Sequence, residues 1–150
     1  MAFERVLTNN SSSHAAPPGT DAENTAIPQK KTHPLKVLVV DDEPLIRWSV
    51  RRGLSKRGHE VHEATTAAET LVALAADGPF DVVVLDYRLP DRRDLSLLQQ
   101  VRETSPTSAV VMMTAYGEPG MREQARTLGA LAVVDKPFQI AEIIQLIESA

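Results

Sequence analysis

Several short apolar runs in this sequence end at side chains that could act together in chemistry. Asp41 and Asp42 directly follow one run, and Asp86 directly follows another. Thr114 comes after a third run, and Lys136 comes shortly after a fourth. The set combines three carboxylates, one hydroxyl and one ammonium, drawn from four separate segments of the chain.

This combination of groups is suited to holding and transferring a phosphoryl group. Carboxylates held close together repel one another, so a cluster of them binds protons or a cation. Mg²⁺ takes hard oxygen ligands, keeps some of its water and bridges to phosphate. An ammonium can neutralise a phosphoryl oxygen, and a carboxylate beside the metal can become an aspartyl-phosphate. We therefore predict a site whose acceptor is the protein itself, and we do not expect an enzyme beyond possible loss of its own phosphate.

Each of these residues also has a simpler interpretation when it is taken alone. Asp42 and Glu43 could cap the start of a following helix, and Asp86 could be a turn former. Thr114 could be an ordinary residue at the end of a strand, and Lys136 an ordinary solvated charge. Chance would have to place complementary groups at the same end of each strand, so the joint interpretation is the better one.

The elements that position these groups are short apolar runs that do not alternate with polar residues. Such runs, rich in β-branched residues, are typical of strands buried on both faces of a parallel sheet. The predicted strands are Leu35–Val40, Glu60–Glu63 (the weakest), Val82–Leu85, Ala109–Met113 and Leu131–Val134.

Between the strands, apolar residues recur at helical spacing, and we interpret these stripes as core-facing. The first stripe has Pro44 at its start and Gly58 just past its end. The stripes are Ile46, Val50 and Leu54; Ala68, Leu71, Val72 and Ala75; Leu95, Leu98 and Val101; Met121, Ala125 and Leu128; and Ile140, Ile143, Ile144 and Ile147. Alternating strands and helices predict an α/β fold, a doubly wound five-stranded parallel sheet with helices on both faces. Ligands bind such sheets at the carboxyl ends of the strands.

Four segments together resemble the receiver domain of two-component response regulators. They read VLVVDDEP, VVVLDYRLPD, VVMMTAYGEPG and VVDKPF. The resemblance extends from Leu35 to about Ser149, and IRWSVRRGL and MTAYGEPGM are most similar to receivers of enhancer-binding activators. It implies the strand order 2-1-3-4-5.

The resemblance also implies how a metal and a phosphoryl group are held. Asp86 would be the phosphoacceptor and a ligand of Mg²⁺. Asp42 would be the main acidic ligand of the metal, with Asp41 assisting through water. The backbone carbonyl of Arg88 would complete the protein ligands.

The remaining roles implied by the family concern the response to phosphorylation. Lys136 would pair with the phosphoryl group, and Thr114 would move toward it. The Lys136–Pro137 peptide bond is usually cis in this family. The donor would be a histidine kinase or a histidine phosphotransfer protein, and the phosphorylated form would bind a downstream protein target or pass the group on.

The sequence departs from the family pattern at several positions. Receivers commonly carry Tyr or Phe three residues before the lysine, where this chain has Val133. Asp94 stands where Gly is usual, and Gly tolerates positive φ better than Asp does. Arg92 and Arg93 add positive charge near this edge, although a solvated loop is the interpretation we favour.

Two residues beside the acceptor could tune the lifetime of the phosphoryl group. They are Arg88 and Tyr116. Their residue types do not give the direction of the effect.

Composition and charge narrow the class of protein. The 150-residue chain is 43% hydrophobic, which is enough for the core of one domain. It has no cysteine, which excludes disulfides and thiolate sites, and its net charge of -4 disfavours a direct nucleic-acid surface. No segment is a signal peptide or a membrane span. A cytoplasmic protein is expected.

The domain organisation follows from a change in composition near Pro34. Residues 1–34 are rich in polar residues and proline without an apolar period, so a disordered tail is predicted. Residues 35–150 would be the receiver domain. Because no output domain follows, a stand-alone receiver is expected, with a homodimer possible on family grounds.

Three other interpretations compete with a phosphorylated receiver. A haloacid-dehalogenase-like phosphatase would need a D-x-D motif after the first strand, whereas Asp41 and Asp42 are adjacent. A flavodoxin-like nucleotide or flavin binder would need a Gly- or Ser/Thr-rich phosphate loop there. A receiver-fold interaction module that works without phosphorylation is favoured slightly by Val133, but it has no need of the full set of polar groups.

Overall fold

The computed structural model describes residues 33–115 and 117–150. The predicted tail therefore lies outside the described residues except for its last two positions, and so does Tyr116. None of the helices in the described part of the chain is long and apolar enough to span a membrane.

Five strands and five helices alternate along the described residues. The strands are β1 (Lys36–Val40), β2 (Glu60–Ala64), β3 (Val82–Asp86), β4 (Ala109–Thr114) and β5 (Ala132–Asp135). The helices are α1 (Pro44–Lys56), α2 (Ala67–Asp77), α3 (Ser96–Thr104), α4 (Met121–Thr127) and α5 (Ile140–Glu148). All five predicted strands are present, with ends shifted by at most one residue, and each predicted helical stripe corresponds to one of the five helices.

The strands form one parallel sheet in the order β2-β1-β3-β4-β5, as predicted. Val39 of β1 lies between Glu63 of β2 and Val84 of β3. Val84 pairs in turn with Val111 of β4, and Val111 pairs with Ala132 of β5. The parallel arrangement brings the carboxyl ends of all five strands to one edge, where the polar residues follow.

Side chains of the inner strands alternate between two hydrophobic layers, one on each face of the sheet. Leu38 and Val83 belong to one layer, and Val39 and Val84 to the other. The first layer also contains Leu74 of α2, Leu98 of α3 and Ala125 of α4; the second contains Val50 of α1 and Ile143 of α5. Helices therefore cover both faces, which explains why the three inner strands are almost entirely apolar.

The apolar stripe predicted for α2 is wrong by about one position. Ala67, Thr70 and Leu74 are buried, whereas Val72 is 66% exposed. The other predicted members Ala68 and Ala75 are also exposed, and Leu71 is half-buried. The helix sequence is rich in alanine, so several stripes fit it, and only packing against the sheet selects one.

A buried charged network joins α1, β2 and α5 at the end of the sheet away from the polar edge. Arg57 donates to both carboxylate oxygens of Glu148, from Nε at 2.6 Å and from Nη2 at 2.8 Å. The Nδ1 atom of His59 accepts from the backbone N–H of Leu35 at 3.0 Å, so Nε2 carries the hydrogen and donates to Glu148 at 2.8 Å. Glu148 thereby fastens the last helix to the start of β2.

We expect Glu148→Gln to lower the free energy of unfolding by about 2 kcal/mol near neutral pH, because hydrogen bonds to charged groups are lost. The hydrogen bond from Arg57 outweighs burial and, with that from His59, holds the pKa of Glu148 below its usual range. A carboxylate with a lowered pKa stabilises the fold above its unfolded-state pKa and loses that contribution as pH falls. The difference between wild type and variant should therefore shrink below about pH 4.5.

Urea unfolding near neutral pH and in acid measures this difference. Glu63→Gln is the control, because Glu63 pairs with Arg47 and Arg51 from a more exposed position and should matter less. An equal loss in the two variants, or a loss from Glu148→Gln that does not change with pH, would contradict the assigned role of the network.

Candidate functional site

The carboxyl edge of the sheet brings the predicted site residues together. Asp41 directly follows β1, and its backbone N–H donates to the carbonyl of Ala64 at 3.1 Å. Asp86 and Thr114 are the last residues of β3 and β4. Lys136 directly follows β5, and its backbone N–H donates to the carbonyl of Thr114 at 2.8 Å. Because these strands are neighbours, the polar groups meet on one rim.

Three carboxylates of this rim form a compact cluster. Asp41, Asp42 and Asp86 each offer an oxygen, and these oxygens all lie within 4.8 Å of one another. Asp41 is completely buried and Asp86 is 6% exposed, whereas Asp42 is exposed. One exposed and two buried carboxylates make a site that a hard cation can enter from solvent and bind through oxygen atoms.

The ammonium group of Lys136 lies in contact with three carboxylates. Its Nζ is 2.7 Å from Oδ2 of Asp41, 2.9 Å from Oε1 of Glu43 and 3.3 Å from Oδ2 of Asp86. Burial favours the neutral amine, but the close contacts with Asp41 and Glu43 outweigh it and raise the pKa of Lys136. The lysine is therefore charged at any physiological pH. Its contact with Glu43 was not predicted, because that residue was interpreted only as a helix cap.

The pKa of the Asp86 carboxyl lies well above its ordinary value. Burial and the nearby charge of Asp41 raise the pKa of Asp86 to about 7, against the opposing effects of Lys136 and the backbone N–H of Arg88. Oδ2 of Asp41 is buried and accepts no hydrogen bond from the described residues, although the ammonium lies beside it. One ammonium does not satisfy this many carboxylates, so the residues fit a bound divalent cation.

The roles predicted for Thr114 and for the carbonyl of Arg88 remain predictions. Thr114 is buried at the end of β4, on the same edge as Asp86. The described contacts of Arg88 involve its backbone N–H, which donates to the Asp86 carboxylate, and its guanidinium. The Lys136–Pro137 peptide bond is cis, as the family resemblance implied.

A valine occupies the place of the usual aromatic residue, and an arginine lies against it. Val133 is buried. Nη1 of Arg122, in the first turn of α4, donates to the Val133 carbonyl at 2.7 Å, and Nη2 donates to Oδ1 of Asp135 at 2.7 Å. In this chain α4 is thus joined to β5 by a guanidinium.

The loop after β3 accommodates Asp94 without strain. No residue other than glycine has a positive φ among residues 33–115 and 117–150. Asp94 instead accepts a hydrogen bond at 2.9 Å from the backbone N–H of Ser96, the first residue of α3. Arg92, which we expected to be solvated, donates to Ser96 Oγ at 3.0 Å and to Gln100 at 2.6 Å. Arg93 is exposed, as expected.

Beside the rim, one carboxylate joins the segments that follow β3 and β4. Glu118 accepts from the hydroxyl of Tyr87 at 3.0 Å and also from Nη2 of Arg88. Burial, and then the hydrogen bond to Glu118, raises the pKa of Tyr87, so its hydroxyl remains a donor. Sequence reasoning missed Glu118, since a lone acid in a loop carries no recognisable signal.

In the presence of a chelator, Asp86→Asn is expected to raise the free energy of unfolding by about 2 kcal/mol near neutral pH. The reason is that folding buries the Asp86 charge beside Asp41. As pH falls, Asp86 takes up a proton in the folded state before it does so in the unfolded state, and the cost of its buried charge disappears. The gain in stability should therefore shrink as pH falls from about 7 toward the ordinary pKa of 3.8. Urea unfolding at several pH values measures the gain.

The exposed carboxylate of Asp135 provides the control for that measurement, and Asp135→Asn should change stability by less than about 1 kcal/mol. If Asp86→Asn destabilised the protein near neutral pH, the electrostatic account of the buried pair would be wrong.

Comparison with known proteins agrees with this geometry. The family model described as the response regulator receiver domain matches residues 37–148. The DNA-binding transcriptional regulator NtrC of Proteus hauseri is 39% identical over 114 residues, which are 76% of this chain and 24% of that protein. Sporulation initiation phosphotransferase F of Bacillus subtilis is 33% identical over 108 residues, which are 72% of this chain and 86% of that protein.

A solved structure supports the same assignment. The CheY-like receiver domain protein of Methanospirillum hungatei has a TM-score of 0.73 and 27% identity, covering 78% of this chain and 93% of its own. The chain spans about a quarter of the length of the NtrC relatives that it matches. With the strand order, the acidic cluster and the lysine all in place, the chain belongs to the receiver-domain family of two-component response regulators.

Proposed function

We propose that this chain accepts a phosphoryl group on Asp86 from a histidine kinase or a histidine phosphotransfer protein, with Mg²⁺ bound at Asp41, Asp42 and Asp86. The observation that carries the proposal is the cluster of Asp41, Asp42 and Asp86, whose oxygens lie within 4.8 Å of one another, with the Lys136 ammonium in contact with Asp41 and Asp86. The carbonyl of Arg88 is proposed as a further ligand. The receiver domain would comprise residues 35–150.

The proposed reaction transfers a phosphoryl group from an imidazole nitrogen of the donor to a carboxylate oxygen of Asp86. An oxygen of the Asp86 carboxylate attacks phosphorus, the bond between phosphorus and the donor imidazole nitrogen breaks, and the electron pair stays on the imidazole. Mg²⁺, when bound, would offset the negative charge of the phosphoryl oxygens. Lys136 would exchange part of its contact with Asp86 for a phosphoryl oxygen, and the Thr114 hydroxyl would donate to another.

The relatives support two fates for the phosphoryl group. One relative is a sporulation initiation phosphotransferase, which supports passing the group to another protein. Others are DNA-binding transcriptional regulators, of which this chain covers only 24%, so the chain would act on a downstream protein target or on further segments of a longer protein. A homodimer is a further possibility that we propose only on family grounds.

A receiver that binds partners without phosphorylation is the second candidate. Val133 and the Arg122 contacts favour it, because the usual aromatic residue is missing from the output face. The acidic cluster and the buried Lys136 favour phosphorylation.

Incubation with acetyl phosphate and Mg²⁺ tests the proposal, because the small donor replaces the unknown kinase. We expect a retarded band on a phosphate-binding gel for the wild type, and none for Asp86→Asn or after chelation. Asp42→Asn should lower the yield at limiting Mg²⁺ by about ten-fold or more.

Asp135→Asn is the matched control, since it removes an exposed carboxylate from the same edge, and it should be labelled as the wild type is. No labelling of the wild type, under conditions that label another receiver, would favour the interaction module. Labelling that survives in Asp86→Asn would place the acceptor elsewhere.

A further inference from the structure

The carboxylate of Glu118 forms a clasp between two loops beside the acceptor, which we call the Glu118 clasp (Glu118 with Tyr87 and Arg88). Its two oxygens accept from the Tyr87 hydroxyl and the Arg88 guanidinium, which lie 31 and 30 residues away in sequence. Tyr87 is buried in the hydrophobic layer, so the clasp is anchored to the core on one side.

The arginine of the clasp is directly connected to the acceptor. The backbone N–H of Arg88 donates to the Asp86 carboxylate. Its guanidinium lies over the Tyr87 ring, 5.7 Å from the ring centre, and its Nε is buried without a hydrogen-bond acceptor among the described residues. The Nε–H group of Arg88 is therefore available to donate a hydrogen bond, and Arg88 is two residues from the group that would be phosphorylated.

The ion pair of the clasp is easily exchanged. The side chains of Arg88 and Glu118 are 39% and 46% exposed, and ion pairs this exposed are weak. A phosphoryl group carries more negative charge than a carboxylate and presents three acceptor oxygens, and the planar guanidinium binds such a group in a bidentate manner. A phosphoryl group on Asp86 would thus compete with Glu118 for Arg88.

Resting on the proposed function, we propose that Glu118 is an internal competitor for Arg88, and that an anion bound at Asp86 takes Arg88 from it and loosens residues 117–120. In the unphosphorylated protein Glu118 occupies the guanidinium and holds the two loops together. In the phosphorylated protein Arg88 contacts a phosphoryl oxygen, and Glu118 keeps only the neutral Tyr87 hydroxyl. Arg88 would contact the reacting group, and Glu118 would be a positioning residue acting through Arg88.

Beryllofluoride with Mg²⁺, a mimic of the phosphoryl group, provides the probe, and the full chain is titrated while backbone amide shifts are followed. Glu118→Gln should tighten the apparent dissociation constant about three-fold, because the amide competes less well for Arg88. Arg88→Met should weaken it by a similar factor. Glu118→Gln should have no further effect in the Arg88→Met background, since the competition no longer exists.

Glu123→Gln is the control for a simple change of net charge, because it removes an exposed carboxylate five residues further along the chain. It should leave the dissociation constant unchanged. If Glu118→Gln tightened binding equally with and without Arg88, or if Glu123→Gln had the same effect, Glu118 would act only through its general charge and the competition would be overturned.

Hydrogen exchange in residues 117–120 separates the two proposals. Faster exchange on beryllofluoride binding supports release of the clasp, whereas unchanged exchange in a protein that binds the probe overturns this inference alone. A wild type that does not bind beryllofluoride at all overturns the proposed function. Hydrogen exchange in the unliganded protein would then still test the clasp, because Glu118→Gln should accelerate the exchange of residues 117–120.

Discussion

The burial of Asp41 and Asp86 at neighbouring strand ends, with one lysine ammonium shared between them, is the constraint on which the site depends. Burial disfavours the ionised form of Asp86, and the charge of Asp41 beside it raises the cost of ionisation further. The Lys136 ammonium, itself held charged by its contacts, lowers this cost without cancelling it. The fold thus keeps an acidic cluster whose excess negative charge an incoming cation would relieve.

The alternation of strands and helices was predictable because parallel strands covered on both faces must be apolar along their whole length. The runs that contain Val39, Val84 and Val111 carry that signature, and all three lie in the interior of the sheet. The polar rim was predictable for the same reason: parallel strands end at one edge, so Asp41, Asp86 and the residues after the later strands had to meet.

The features that the sequence did not predict depend on how side chains pack and on contacts between segments that are distant in the chain. The stripe of α2 could not be chosen because an alanine-rich helix offers several nearly equivalent faces, and only the sheet distinguishes Leu74 from Val72. The hydrogen bond that Ser96 donates to Asp94 and the contact of Glu43 with Lys136 are set by loop conformation. Glu118 joins two loops some thirty residues apart, a relation that the spacing of residue types does not reveal.

The position of Lys136 among Asp41, Glu43 and Asp86 has a consequence for the kind of input the protein registers. Three carboxylates surround one ammonium, so the rim carries an excess of negative charge. A bound cation would reduce this excess of negative charge, whereas a phosphoryl group without a cation would increase it. A phosphoryl group would therefore be held on Asp86 only while a cation is bound beside it, so the site would register two inputs that arrive together.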